Sequence, residues 1–262
     1  MKSILKELKN NIKENKSTFA VYIILRIVVI VTLALALLQR NFETAFICLL
    51  TLVLFLIPSV IEKAFRLKLP SMLEILIMLF IFASAILGEL AAFYVKFPIW
   101  DSILHTVNGF LCAAIGFALI DLLNENKNIK FQLSPVFVAI VAFCFSMTIG
   151  VMWEFYEFGS DMLFKTDMQK DFIVHRISTV LLDHTNSNHA VHIEDIKNLS
   201  INGKDIDVKG YIDIGLIDTM KDLIVNFIGA VIFSIIGFFY IKNRGKGKFA
   251  EKFIPKKIET EE

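Results

Sequence analysis

The sequence predicts an all-α membrane protein: a polytopic bundle of about six transmembrane helices, with a small polar segment between the fifth and sixth that holds a candidate β-hairpin. Three observations predict it. The chain of 262 residues is 56% hydrophobic, with a mean hydropathy of +0.65, too apolar for a soluble domain of this length. Six apolar runs reach the ~20 residues that a helix needs to cross a bilayer. The connections between those runs divide Lys and Arg unequally between the two sides.

The runs lie near 19–39, 43–61, 71–95, 102–123, 134–160 and 217–241. Residues 1–18 form a charged lead without a small-residue cleavage site, which reads as a cytoplasmic N-tail before an uncleaved first span. Spans one to five occupy 19–160. Pro58 stands near the end of the second, Pro70 precedes the third, and Pro98 and Pro135 fall in connections, as helix punctuation should. Arg26, early in the first span, is expected to snorkel to the nearer interface. Residues 161–216 form an extracytoplasmic segment. Its Asn202-Gly203 pair, between Leu199-Ser200-Ile201 and the alternating stretch from Lys204 to Val208, predicts a hairpin. His175, His184, His189 and His192 also lie there. The spacing of His189 and His192 would suit a metal clamp on one helical turn, although a solvated polar loop is the plainer reading. Span six occupies 217–241. The tail, 242–262, is basic and rich in Gly and Lys, which predicts a disordered strap along anionic lipid.

Orientation follows the positive-inside rule. Five lysines in the N-tail, three basic residues in the connection of spans two and three, two between four and five, and seven in the tail share one side. The opposite side carries nine, six of them in the long 161–217 connection. Both termini are therefore expected in the cytoplasm. Trp100, Trp153, Tyr94 and Tyr156 then mark the outer interface. The net charge of +1 leaves no nucleic-acid footprint, so the partner implied is the lipid bilayer. Cys48, Cys112 and Cys144 have no CxxC spacing and read as small core residues.

Three apolar segments carry polar residues at helical spacing: Asp101, His105 and Asn108; Glu154, Glu157 and Asp161; Asp218, Asp222 and Asn226. Each set shares one helix face. Cys112 continues the first stripe and Gly229 the third, where Gly229-Ala230 would admit a close neighbour. Embedded carboxylates cost ~2.5–3.5 kcal/mol each on insertion scales. With ~1.5 Å of rise per residue, the three sets fall at one depth near the outer face, with Glu89 as a further candidate. So many carboxylates in a low dielectric require protonation or a cation. Oxygen ligands with one imidazole suit a divalent metal ion such as Mg²⁺, Mn²⁺, Ca²⁺ or Zn²⁺. The candidate ligands are His105, Glu154, Glu157, Asp218 and Asp222. A hydrogen-bond network that fixes packing and a proton or ion pathway stay open beside that reading.

The motifs TrpAspSerIleLeuHisThrValAsnGlyPhe at 100–110, TrpGluPheTyrGluPheGlySerAspMet at 153–162, MetGln at 168–169 and the run from Gly215 to Ala230 resemble the YjdF-like family of bacterial integral membrane proteins over about residues 75–240. The resemblance implies a helical membrane fold in a bacterial cytoplasmic membrane and supplies no reaction. The stretch from about 171 to 213 is longer than that family's usual connection. A looser echo is the VanZ-like family, whose order of Asp and His, then Glu, then Asp and Asn before Gly is matched by Asp101, His105, Glu154, Glu157, Asp218, Asp222, Asn226 and Gly229; it implies a link to glycopeptide resistance at the cell envelope.

Three functions remain in play from the residues alone. The first is an enzyme or binding protein acting on a lipid or envelope substrate, with His105 as ligand or general base. The sequence has no G-x-S-x-G, HExxH or P-loop motif to name a reaction. The second is an ion- or proton-coupled transporter, against which stand the apolar far halves of spans four to six. The third is a structural or partner-binding membrane protein.

Overall fold

The computed structural model describes residues 16–65, 67–124, 133–243 and 250–257. Most of the N-tail, Arg66, Lys127, Lys130 and the basic residues at 244–248 lie outside the described residues. The orientation inferred from them remains an expectation. Among the described residues, six helices are long and apolar enough to cross a membrane: Thr18–Leu38, Phe42–Ala64, Ser71–Leu90, Trp100–Asp121, Pro135–Phe164 and Leu216–Lys242. These are the six apolar runs of the sequence. The chain divides into two compact units, 1–150 with 224–262, and 151–223.

In the first unit, α1 (Lys16–Leu38) turns at Arg40, whose φ is 56°, into α2 (Phe42–Leu54). The Asn41 side chain accepts from Thr44 N at 3.0 Å and caps α2, satisfying one of its orphan donors. Near Pro58, which has no N–H, the second span is broken into α2 and α3 (Ile57–Phe65). Arg26 reaches that break. Its Nη2 donates to the Phe55 carbonyl at 3.4 Å and its guanidinium stacks 3.9 Å over Tyr22.

The third span starts after Pro70 as α4 (Ser71–Phe82) and continues as a π-helical stretch, Ala83–Leu90. The expected end at 95 is corrected to Leu90. Ala92 is left-handed, φ 58°, and a separate short helix, α5 (Phe93–Lys96), follows. The reason is local packing. The Tyr94 ring lies over Gly88, where any Cβ would sit 2.4 Å from it, and the Tyr94 hydroxyl bonds Ser84 Oγ at 3.0 Å. The core gathers Phe55, Leu73, Met78, Val138, Phe233 and Phe117, the last on α6 (Trp100–Asn124). Cys48 is buried in it, but Cys144 is exposed on α7 (Pro135–Phe164), so only part of the cysteine expectation holds.

The tail is not a disordered strap at its described residues. After α8 (Leu216–Lys242), a 3₁₀ turn at Ala250–Lys252 leads to Phe253 and Ile254, 3% and 4% exposed. A short strand, β8 (Lys256–Lys257), then pairs antiparallel with β1 (Leu67–Lys68). Net charge concealed an apolar triplet, Phe253-Ile254-Pro255, whose burial outweighs the solvation of its basic neighbours.

In the second unit, α7 runs to Phe164, four residues past its expected end. Three small antiparallel pairings follow: β2 (Ile173–Val174) with β7 (Tyr211–Ile212), β3 (Ile177–Thr179) with β4 (Val191–Ile193), and β5 (Ser200–Ile201) with β6 (Lys204–Asp205). The last is the hairpin expected from Asn-Gly. Asn202 and Gly203 have φ of 54° and 77°, the signs a type I′ turn requires.

Between β3 and β4, Asp183 organises the loop by accepting from the backbone N–H of Thr185, Ser187 and His189 and from the Thr185 hydroxyl. Led by that hydroxyl bond, these donors pull the carboxyl from an ordinary value of 3.8 to about 2. The depressed value means that the loop's ordering is fully present above pH ~4 and is lost as the pH falls toward 2. Protection of the Ser187 and His189 amides, taken relative to the intrinsic exchange rate at each pH, should therefore fall across that window in the native chain. In Asp183→Asn that protection should be lost at every pH, and pH-independent protection in the native chain would refute the assignment.

Candidate functional site

The polar stripe of α6 belongs to the first unit. Asp101 and His105 are one turn apart, with His105 Nε2 at 3.7 Å from Asp101 Oδ1, and His105 is only 6% exposed. Asn108 Nδ2 donates to Asn226 Oδ1 of α8 at 3.3 Å. Asn226 is fully buried, and its own Nδ2 turns to Met147 Sδ at 3.6 Å. Cys112 Sγ donates to Asn108 Oδ1 at 3.5 Å.

Glycines make this junction close. A Cβ on Gly229 would lie 2.0 Å from the Thr106 carbonyl, and one on Gly109 2.1 Å from the Asn226 carbonyl. One on Gly150 would lie 2.6 Å from Asn226 Nδ2, while Ser146 Oγ donates to the Gly109 carbonyl at 2.7 Å. The close approach expected at Gly229 is thus present, as in small-residue crossings of membrane helices. Farther along, Phe117 meets the rings of Phe233 and Tyr240, so α6 and α8 run in the same direction.

The remaining candidates belong to the second unit. Glu154 and Glu157 are buried on α7, and Trp153 Nε1 donates to Glu157 Oε1 at 2.7 Å. Trp153 also tilts against Tyr156, ring centroids 5.3 Å apart. Asp218 and Asp222 are buried near the start of α8, at 5% and 1% exposed.

Asp161 and Asp218 have backbone work. Asp161 Oδ1 accepts from Thr166 Oγ1 and Met168 N, both at 2.7 Å, and Oδ2 from Gln169 N at 2.9 Å. Asp218 Oδ2 accepts from Lys170 N at 2.8 Å. Gln169 Nε2 donates to Thr219 Oγ1 at 2.6 Å, and Lys221 stands 4.7 Å over the Phe172 ring. Asp213 completes the staple, accepting from Phe172 N at 2.6 Å and from Ile217 N at 2.8 Å. Asp213 was not singled out from the sequence, and Gln169 and Thr219 entered only as members of the family motifs, with no role assigned. The only signal was an acid placed before the first turn of α8, where it caps.

Two further expectations are corrected. His189 lies in a loop and His192 in β4, so they do not share a helical turn; their Nδ1 atoms bond Ser187 Oγ at 2.6 Å and Ser178 Oγ at 2.8 Å. Glu89 is exposed at the end of the π-helical stretch. In the first unit Asp101 and His105 are the side chains suited to a cation, and in the second Glu154, Glu157, Asp218 and Asp222.

The model of a family described as predicted membrane protein (DUF2238) matches residues 20–243. An uncharacterized protein of Thermotoga maritima is 26% identical over 106 residues, which cover 40% of this chain and 53% of that protein. The chain thus spans about half the length of that curated relative. No solved structure matches significantly.

Proposed function

The chain belongs to the DUF2238 family of membrane proteins, and on that premise we propose that it binds a divalent cation at a buried acidic site of the second unit, with Glu154, Glu157, Asp218 and Asp222 as its candidate ligands. The single observation that carries this reading is the burial of these four carboxylates within one compact unit. Buried charges are paired or coordinate metals, and carboxylate oxygens suit a hard divalent ion. In the first unit, Asp101 and the buried His105 form an acid–histidine pair of the same chemistry on α6.

Asp161 stands apart from this set in the reading, because the loop uses both its oxygens. Asp218 contributes at most one oxygen, the other being held by Lys170 N. The YjdF-like resemblance fits the same picture. So does a placement of the site toward the outer face of a bacterial cytoplasmic membrane, with both termini inside. A bound ion there would serve to hold and polarise an oxygen of a lipid or envelope substrate.

Elemental analysis of detergent-purified protein tests the reading. The native chain should retain about one equivalent of a divalent metal after dialysis. Asp222→Asn should lose it, since each missing ligand lowers affinity steeply, while its elution and helical content stay native. A metal-free native chain, or an Asp222→Asn variant that keeps the ion, would sink the proposal.

A further inference from the structure

The first unit holds a cation inside a span that none of the polar stripes uses. Arg26 lies on α1, well inside Thr18–Leu38. Its guanidinium turns back one helical turn and stacks 3.9 Å over the Tyr22 ring. Such stacking covers a face of the guanidinium and leaves its N–H edge for acceptors in the plane. That edge carries five donors. One is spent on the Phe55 carbonyl at a long 3.4 Å, and Nε is enclosed with no acceptor. Among the described residues no carboxylate pairs with Arg26, and the side chain is only half-buried. A charge within a span marks a site for a counter-charge. The break in span two supplies further donors. Pro58 has no N–H, and the first N–H of α3 bonded back is that of Val60, to the Leu56 carbonyl at 2.9 Å. Those of Ile57 and Ser59 take no backbone carbonyl among the described residues, so both are orphans of a helix start. Leu56, Ile57 and Ser59 are exposed, and so is Lys63, one turn beyond Ser59 on the same face. Tyr22 and Ser59 each lie ~6–8 Å inside the span ends at Thr18 and Ala64, and the turn at Arg40 puts those two ends on one side.

We propose that Arg26, the N–H groups that open α3 and Lys63 form a phosphate-binding site between spans one and two, occupied by the headgroup phosphate of an anionic phospholipid. A guanidinium edge meets phosphate oxygens with charge-assisted, often paired, hydrogen bonds. A helix start takes phosphate through its free N–H groups and its dipole. Lys63, nearer the span end, answers the remaining charge. The surroundings favour a lipid over the free ion: exposed Ile23, Ile27, Leu56 and Ile57 flank the donors and offer acyl chains an apolar surface. Basic pockets between membrane helices on the cytoplasmic side bind anionic headgroups, and the distribution of Lys and Arg places this end of the two spans there. The site shares no residue with the carboxylates proposed to hold a metal, so its test stands apart from the metal measurement.

Native mass spectrometry of the detergent-purified full chain tests the site, with phosphatidylglycerol, phosphatidylcholine and inorganic phosphate as probes. The native chain should hold phosphatidylglycerol at least ~5-fold more tightly than phosphatidylcholine. Arg26→Gln drops the charge and keeps an amide donor, so it should lose that preference at native helical content. Arg26→Lys should keep part of it, and Lys63→Gln should lower it roughly twofold. Displacement of the lipid by an equal concentration of inorganic phosphate supports the phosphate site and makes the free ion its occupant. Equal binding of the two lipids, or a natively folded Arg26→Gln that keeps the preference, overturns the proposal. Should Arg26→Gln fail to fold, phosphatidylglycerol with a photoreactive headgroup decides on the native chain. Adducts confined to residues 22–26 and 56–63 support the site, and adducts spread over the other spans overturn it.

Discussion

Gly229→Ala should prevent α6 and α8 from docking, and Gly109→Ala should do nearly the same. The added methyl at 229 would sit 2.0 Å from the Thr106 carbonyl and 2.9 Å from Phe110 N; at 109 it would sit 2.1 Å from the Asn226 carbonyl. Both obstacles are backbone, so no rotamer change relieves them. The helices must separate by an ångström or more, which breaks the Asn108–Asn226 bond and loosens Ser146 from the Gly109 carbonyl. Overpacking of a close-packed core costs typically ~1–3 kcal/mol and occasionally more, and these two positions belong at the upper end. Gly159→Ala is the control. It lies mid-helix with nothing within 4 Å of its would-be Cβ, so alanine there should stabilise by roughly 0.5–1 kcal/mol. Thermal unfolding in detergent, followed by tryptophan fluorescence, should rank Gly159→Ala above native and both crossing variants far below. A Gly229→Ala protein with native melting would mean that the crossing does not hold the bundle together.

That crossing shows what the sequence could and could not disclose. The spans were legible because apolar length alone decides whether a helix fits a bilayer. The stripes were legible because 3.6-residue periodicity puts Asp101, His105 and Asn108 on one face without knowledge of a neighbour. The hairpin was legible because Asn-Gly encodes its own turn. What stayed hidden depends on partners distant in sequence. Nothing near Gly150 says that the Asn226 amide fills the space a side chain would take. Nothing near Gly88 says that Tyr94 folds back over it and lets the third span widen into a π-helix. The tail misled because seven of its residues are Lys or Arg, while three consecutive apolar residues are enough to anchor a segment that a bundle has room to receive. Asp161 misled for a related reason. Its spacing matches Glu154 and Glu157, but it is close to the helix end, where the loop's N–H groups lie within reach.

Asp161→Ala should therefore free the loop after α7 without emptying the proposed cation site. Three donors lose their acceptor at once: Thr166 Oγ1, Met168 N and Gln169 N. Each hydrogen bond to a charged group is worth ~1.5–3 kcal/mol, but partial exposure lets water replace much of that, so a local loss of about 2 kcal/mol is expected. Gln169 is then no longer held toward Thr219, and Lys170 N should part from Asp218. Trypsin should cleave after Lys165 and Lys170 much faster than in the native chain, and amide exchange at Met168 and Gln169 should rise at least ~10-fold. Bound metal should stay near the native level, in contrast to Asp222→Asn. The two readouts separate the alternatives for this residue. If metal falls in Asp161→Ala while the loop keeps its protection, Asp161 is a ligand and the loop hydrogen bonds are incidental. If the loop opens and the metal stays, the acid on the stripe is there to end a helix.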